Sequence, residues 1–167
     1  MKLSLLAISL LGVAAVAATA QVPGPGTSQG GPGQRSVRLP EGTIVHRDLA
    51  YVTNGHERQK LDLYLPDQGK GPFPLIIEFH PGGFMVGSKS TGIGPMLEGL
   101  KRGYAVASVG YRLSGEAPFP AAVNDAKAAV KFLRASAGTY NLDPRRFAAW
   151  GSSAGGNLAA MVAVSAN

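Results

Sequence analysis

Hydrophobic and polar positions near residue 50 alternate with a period of two. Residues 44–52 and 60–65 are predicted as two strands, and the second alternates strictly, which predicts one polar face, as expected at the edge of a sheet. Asn54-Gly55 lies between them and favours a turn. The pattern therefore predicts a hairpin at the start of the folded region.

From residue 75 onward, nearly continuous apolar runs alternate with segments of helical period. The predicted strands are 75–79, 104–109 and 147–150, and the predicted helices are 94–102, 121–135 and 154–163, with a turn at 141–144. Apolar strands separated by helices are typical of a mostly parallel sheet with helices on both faces. Such an α/β fold binds ligands at the carboxyl ends of its strands.

The amino terminus has the features of a secretory signal peptide. Residues 1–20 combine Lys2 with an apolar run and end in three small residues. We expect cleavage between Ala20 and Gln21 and an exported location, periplasmic or secreted. An uncleaved membrane anchor is the competing interpretation, but the apolar run is at the short limit for spanning a bilayer.

Composition limits the domain organisation and the function classes. Residues 21–40 are rich in Gly, Pro and Ser and predict a disordered linker, which leaves 41–167 as the folded domain. The absence of cysteine excludes disulfides, thiolate metal sites and a cysteine nucleophile. The net charge of +6 is spread in pairs rather than gathered in a basic stripe, so nucleic-acid binding is not predicted.

A candidate nucleophile lies between the last predicted strand and the last predicted helix. Residues 150–156 read Trp-Gly-Ser-Ser-Ala-Gly-Gly and contain a G-x-S-x-G pattern centred on Ser153. A serine at such a bend is strained, and side chains two positions away would collide, which accounts for Gly151 and Gly155. The N–H of Ala154 is placed to bind an oxyanion. Taken alone, the pattern fits tight packing equally well.

The segment His80-Pro81-Gly82-Gly83-Phe84 follows the predicted strand 75–79. A glycine turn at this place is where the other half of an oxyanion hole lies in folds with such a serine bend. This second motif favours the catalytic interpretation of Ser153 over simple packing.

Other ionisable residues fit structural roles better than catalytic ones. Asp125 lies in the middle of a predicted helix before Ser153, so we expect an ion pair with Arg112 rather than a triad acid. His46 and His56 lie in the predicted hairpin, where packing or surface roles are favoured over catalysis.

These motifs together resemble the α/β-hydrolase superfamily, and most closely its carboxylesterase branch of hormone-sensitive-lipase-like and feruloyl/acetylxylan-esterase-like proteins. The resemblance runs through nearly all of the chain after Gly42 and is carried by 80–84, 111–113, 118–122, 143–146 and 151–158. It implies an α/β-hydrolase fold that is present in part, from the first strands through the serine bend.

The resemblance also implies a mechanism. Ser153 would attack an ester carbonyl, the N–H groups of Gly82, Gly83 and Ala154 would bind the oxyanion, and His80 would support the loop. No metal or organic cofactor is implied. Pro81 replaces the first glycine of the branch's His-Gly-Gly-Gly motif, which should stiffen the loop without removing the later donors.

The acid and the histidine of the family's triad follow the serine in the chain. Here 14 residues follow Ser153, and none is Asp, Glu or His. We therefore interpret the chain as the amino-terminal portion of a hydrolase, with strand 147–150 at a sheet edge, and we expect these 167 residues alone to be inactive.

The sequence thus predicts an exported serine carboxylesterase acting on short acyl esters. Candidate substrates are small esters or acetyl and feruloyl esters of polysaccharide, without nucleic-acid partners or a stable membrane anchor. A prolyl-oligopeptidase-like peptidase is the second hypothesis, and an inactive pseudo-hydrolase is the third. The His-Pro-Gly-Gly loop and the early position of the serine bend favour the esterase.

Overall fold

The computed structural model describes residues 39–67 and 69–165. The predicted signal peptide and nearly all of the predicted linker lie outside these residues. Within the described ranges, no helix is long and apolar enough to cross a membrane.

The described residues form five strands and three α-helices. The strands are β1 (Ile44–Ala50), β2 (Lys60–Leu65), β3 (Phe73–Phe79), β4 (Ala105–Val109) and β5 (Leu142–Gly151); the helices are α1 (Gly94–Leu97), α2 (Ala121–Ala135) and α3 (Ala154–Val164). The helix predicted for 94–102 is instead one turn, α1, and a 3-10 helix at Leu100–Arg102. Gly99 lies between the two, and glycine disfavours a continuous helix.

The strands form one mixed sheet in the order β1-β2-β4-β3-β5. The pairs β1/β2 and β2/β4 are antiparallel, whereas β4/β3 and β3/β5 are parallel. The predicted α/β class is confirmed, with the parallel part confined to three strands. Phe79 and Gly151 are register partners at the ends of β3 and β5. The chain therefore leaves these two strands side by side, toward the same edge of the sheet.

Strand β2 lies inside the sheet, not at its edge, and the expected polar face is buried. Leu61 and Leu63 pack in the core on the side of α2 and α3. On the opposite face, Asp62 and Tyr64 are only 1% and 6% exposed. The prediction of a wet face was wrong because Lys89 reaches Asp62 from a distant loop and compensates its charge.

Helices α2 and α3 cover one face of the sheet, and α1 and the 3-10 helix cover part of the other with Leu97 and Leu100. Helix α2 contributes a buried stripe that includes Val123, Ala126, Val130 and Leu133, and α3 contributes Leu158. Burial of each large aliphatic side chain is worth about 1.5–3 kcal/mol relative to exposure. Helix α3 packs against β3, β5 and α2, and this packing fixes where α3 begins, which matters for the site.

Strand β5 is the outermost strand on the other side, and among the described residues it pairs only with β3. Its edge position agrees with expectation, and Trp150 is 53% exposed. The strand begins earlier than predicted, because residues 142–144 extend it rather than forming a turn. Asp143 stabilises this start by accepting hydrogen bonds from the Arg145 N–H and from Arg146 Nε at 3.0 and 2.7 Å.

Candidate active site

Ser153 occupies a strained bend between β5 and α3. Its backbone has φ 52° and ψ −122°, a region that residues with a side chain rarely adopt. A residue held in such a conformation costs about 1–3 kcal/mol, which the surrounding packing must offset. The side chain is exposed at the amino-terminal end of α3. This is the geometry that the G-x-S-x-G pattern predicts.

The glycines on either side of Ser153 are required by close backbone approach. A Cβ on Gly155 would overlap the carbonyl oxygen of Phe79 and lie 2.9 Å from that of His80. A Cβ on Gly151 would overlap the backbone of Gly155. The bend is therefore seated directly against the end of β3, where the second motif begins.

The second motif opens a loop that we call loop 80–89. Gly82 and Gly83 have φ values of 132° and 59°, and a Cβ on Gly82 would overlap the carbonyl oxygen of Val86. That turn is closed by hydrogen bonds from the N–H groups of Met85 and Val86 to Gly82 O, at 2.9 and 3.1 Å. Glycine is needed at position 82 because no other residue would fit.

The three backbone donors predicted to bind an oxyanion have no partner within the described residues. The N–H groups of Gly82, Gly83 and Ala154 donate to no protein acceptor there. They lie just beyond the adjacent ends of β3 and β5, and Ala154 adds the positive end of a helix dipole. Free donors of this kind suit an oxyanion.

His80 braces loop 80–89 and is not placed to act as a base. Its side chain is fully buried, and Nδ1 donates to Pro81 O at 2.8 Å. The ring stacks on Tyr111 at 4.2 Å, and the Tyr111 hydroxyl donates to His80 O at 2.7 Å. Burial lowers the pKa of His80, so the ring is neutral near pH 7. Nε2 is buried and has no partner among the described residues.

Residues far away in the chain hold the other end of loop 80–89. Arg58 Nη1 donates to Gly87 O at 2.9 Å. Lys89 Nζ lies 2.7 Å from the buried carboxylate of Asp62 and 3.2 Å from Asp48. Sequence reasoning missed these anchors because no motif joins them to the loop.

A buried carboxyl group, Glu78, lies beneath the same loop. It is 2% exposed, and burial raises its pKa to about 7, although a hydrogen bond with Ser108 opposes the shift. Ser108 Oγ lies 3.1 Å from Glu78 Oε2 and also contacts Lys89 O. Because Ser108 has a single hydroxyl proton and contacts both oxygens, it compensates a charge on Glu78 only in part.

Asp125 has the structural role predicted for it. Its carboxylate accepts from Arg112 Nε and Nη2 at 2.9 and 2.7 Å, and from Gln59 Nε2 at 2.6 Å. Burial alone would raise the pKa of Asp125, but these hydrogen bonds lower it.

His46 and His56 lie in β1 and in the loop that follows it. In the described part of the chain, no cluster of three or more ligating side chains could hold a metal.

Comparison with known proteins agrees with this geometry. Carboxylesterase NlhH of Mycobacterium tuberculosis is 33% identical over 131 residues, which are 75% of this chain and 39% of that protein. The structure of a truncated carbohydrate esterase from gut microbiota matches with a TM-score of 0.65 and 33% identity, over 73% of this chain and 44% of that one. Esterase B of Lactobacillus rhamnosis matches with a TM-score of 0.70 and 27% identity, over 77% and 42%.

The mixed sheet and the serine bend at its edge define the class of protein, an α/β-hydrolase of the esterase type. The chain belongs to the BD-FAE family, whose model matches residues 61–167. It spans about two fifths of the length of the relatives named above.

Proposed function

We propose that the protein is an exported serine carboxylesterase that cleaves short acyl esters, with Ser153 as its nucleophile. The observation that carries the proposal is the backbone of Ser153, strained at φ 52° and adjacent to free N–H donors. Strain of this kind persists where the surrounding structure enforces it, and it is common at catalytic residues.

In the proposed reaction, Ser153 Oγ forms a bond to the ester carbonyl carbon and loses its proton to a base. The carbonyl oxygen becomes an oxyanion, which the N–H groups of Gly82, Gly83 and Ala154 stabilise. Collapse of this intermediate breaks the bond to the alcohol oxygen, and the alcohol leaves with a proton. Water then attacks the acyl-enzyme, releasing the carboxylic acid and restoring the serine hydroxyl.

The base and its acid partner are not assigned to residues of this chain. His80 is buried and neutral, with one ring nitrogen already donating to Pro81 O. Asp125 is occupied by Arg112 and Gln59. Loss of triad partners lowers turnover by about a millionfold in a well-studied serine hydrolase. We therefore propose that residues 1–167 alone are inactive.

The proposed substrates are esters of short acyl groups, with acetyl and feruloyl esters of polysaccharide as candidates. The gut-microbiota relative is named as a carbohydrate esterase, which supports polysaccharide esters as candidate substrates. Export rests on the signal-peptide composition of residues 1–20. The intact mass of the native protein recovered outside the cytoplasm tests export, and an amino terminus other than Gln21 would contradict the proposed cleavage.

A fluorophosphonate probe tests the nucleophile directly, because labelling requires an activated serine. We expect the intact gene product to be labelled at Ser153, and Ser153→Ala to abolish labelling. Ser152→Ala is the matched control, since Ser152 is the exposed neighbouring serine, and it should retain labelling. Unchanged labelling of Ser153→Ala would remove Ser153 from the mechanism. Strong labelling of residues 1–167 alone would contradict the inactivity prediction.

A substrate panel separates esterase from peptidase activity. Acetate and butyrate esters, acetylated xylan and feruloylated arabinoxylan are compared with proline-containing peptides on the intact gene product. We expect ester hydrolysis that depends on Ser153. Amide turnover comparable to ester turnover would favour the prolyl-oligopeptidase-like alternative instead.

A further inference from the structure

A cavity of about 210 Å³ opens next to the serine bend, and we call it the α2 pocket. It lies between loop 80–89, the first turn of α2 and the first turn of α3. Its walls include Phe84, Ala117, Phe119, Ala122, Val123 and Asn157.

The α2 pocket is continuous with both segments that carry the proposed oxyanion donors. Phe84 directly follows Gly83 in loop 80–89. Asn157 lies one helical turn beyond Ser153, and its N–H donates to Ser153 O at 3.1 Å. A group held in the pocket is therefore held beside the proposed reaction centre.

The chemistry of the walls selects an uncharged, apolar group. Two aromatic rings and three aliphatic side chains supply most of the lining, and Phe119 is 82% exposed at the rim. Arg112 also borders the cavity, but Asp125 binds its guanidinium through two nitrogens, at 2.9 and 2.7 Å. Because that charge is already neutralised, the pocket does not offer a free cation to an acidic ligand.

The volume sets the size of the occupant. A protein cavity of about 150 Å³ binds benzene, whereas pockets for drug-sized ligands begin near about 300 Å³. At about 210 Å³, the α2 pocket accommodates one ring-sized group and little more.

We propose that the α2 pocket is the subsite for a single ring-sized apolar group of the substrate ester, and that Ala117 and Ala122 set its size limit. The role of this subsite in turnover rests on the proposed esterase function, whereas its binding of the ring does not. The same ring can reach the pocket from the acyl side or from the alcohol side of the ester.

The first test is binding without catalysis, using 3-phenylpropan-1-ol as the probe and isothermal titration on the intact gene product. Ala122→Leu fills the pocket from α2, and Ala117→Leu fills it from the preceding loop, where a larger side chain places less demand on folding. We expect each to raise the dissociation constant at least about tenfold, as a few methylene groups do in apolar pockets. Ala50→Leu, an identical change at an exposed strand end, should have no effect.

The second test identifies which side of the ester enters the pocket. Ethyl 3-phenylpropanoate carries the ring on the acyl side, and 3-phenylpropyl acetate carries it on the alcohol side. We expect both filling variants to lower kcat/KM for one of these two esters, relative to ethyl acetate, by at least about tenfold.

Equal probe binding by wild type, Ala122→Leu and Ala117→Leu would overturn the subsite. If kcat/KM for both ring-bearing esters, relative to ethyl acetate, were unchanged in both variants, the role of the pocket in substrate selection would be overturned. If the wild-type protein hydrolyses no ester but binds the probe in a manner sensitive to both variants, the proposed function fails while the pocket stands.

Discussion

The serine bend and loop 80–89 both present free backbone N–H groups, but they are held in different ways. The bend depends on backbone approach: Gly155 contacts the end of β3, and Gly151 contacts Gly155. The loop depends on side chains from elsewhere, with Arg58 bonded to Gly87 O and Asp62 paired with Lys89. One half of the candidate site is encoded in seven consecutive residues, whereas the other half is spread over the chain.

The difference has a consequence for how each half fails. Backbone contacts cannot shift, so a single added methyl group at the bend meets rigid atoms. Polar side-chain contacts can be lost one at a time, so the loop should loosen in steps. Four substitutions can test this contrast.

The largest effect is expected from Gly155→Ala. The added Cβ would overlap the carbonyl oxygen of Phe79, so β3 and α3 would have to separate. We expect the free energy of unfolding, measured with urea, to fall by about 4 kcal/mol or more. Gly138→Ala is the control, because a Cβ there meets nothing within 4 Å. Equal effects of the two changes would disprove the close-approach argument.

Glu78 should make stability depend on pH. Its pKa in the folded protein is raised from 4.5 to about 7, so between these values the folded state keeps a proton that the unfolded state loses. The stabilisation from Glu78 is thus complete below about pH 4.5 and decreases as pH rises through about 7, by about 3 kcal/mol in total.

Glu78→Gln removes this titration but keeps an amide oxygen that can accept from Ser108. Unfolding by urea at several pH values should show wild type losing stability relative to the variant between about pH 4.5 and about pH 7, with little further change above that. Parallel stability curves for the two proteins would show that Glu78 is not held protonated.

Asp62→Asn tests the charged anchor of loop 80–89. The change leaves the ammonium of Lys89, 21% exposed, with Asp48 as its remaining partner. Because Lys89 keeps some contact with water, we expect a loss of about 2 kcal/mol in unfolding free energy. Glu98→Gln makes the same chemical change in an exposed pair with Lys101 and should cost less than about 0.5 kcal/mol. If Asp62→Asn lowered the free energy of unfolding by as little as Glu98→Gln, the Asp62–Lys89 pair would not anchor loop 80–89.

The smallest effect is expected from Arg58→Gln, which removes the donor to Gly87 O. Because Arg58 is partly exposed, we expect the free energy of local opening of loop 80–89 to fall by about 1 kcal/mol. Amide hydrogen exchange at Met85 and Val86 should then be faster by about fivefold. Arg102→Gln is the control, since the side chain of Arg102 is exposed and makes no hydrogen bond or ion pair within the described residues. Unchanged exchange in the Arg58 variant would show that the loop does not depend on this contact.

Much of the fold could be predicted from the sequence. Helix α2 has its predicted bounds, the α/β class is confirmed, and the Asp125–Arg112 ion pair was expected. The bounds of α2 follow from hydrophobic periodicity. Arg112 and Asp125 are only 13 positions apart, within one strand-to-helix unit. The helix predicted for 94–102 and the wet face of β2 were wrong because tertiary contacts and a glycine outweighed the local pattern.

The sequence by itself determined the position of the serine bend, because its steric demands act on neighbours two residues away and leave a glycine signature. Only the tertiary structure decided that Asp62 is buried, that burial raises the pKa of Glu78 and that Arg58 holds loop 80–89. These contacts join residues 27, 30 and 29 positions apart. The energy of a buried charge depends on what the fold brings next to it, and no local pattern along the chain contains that information.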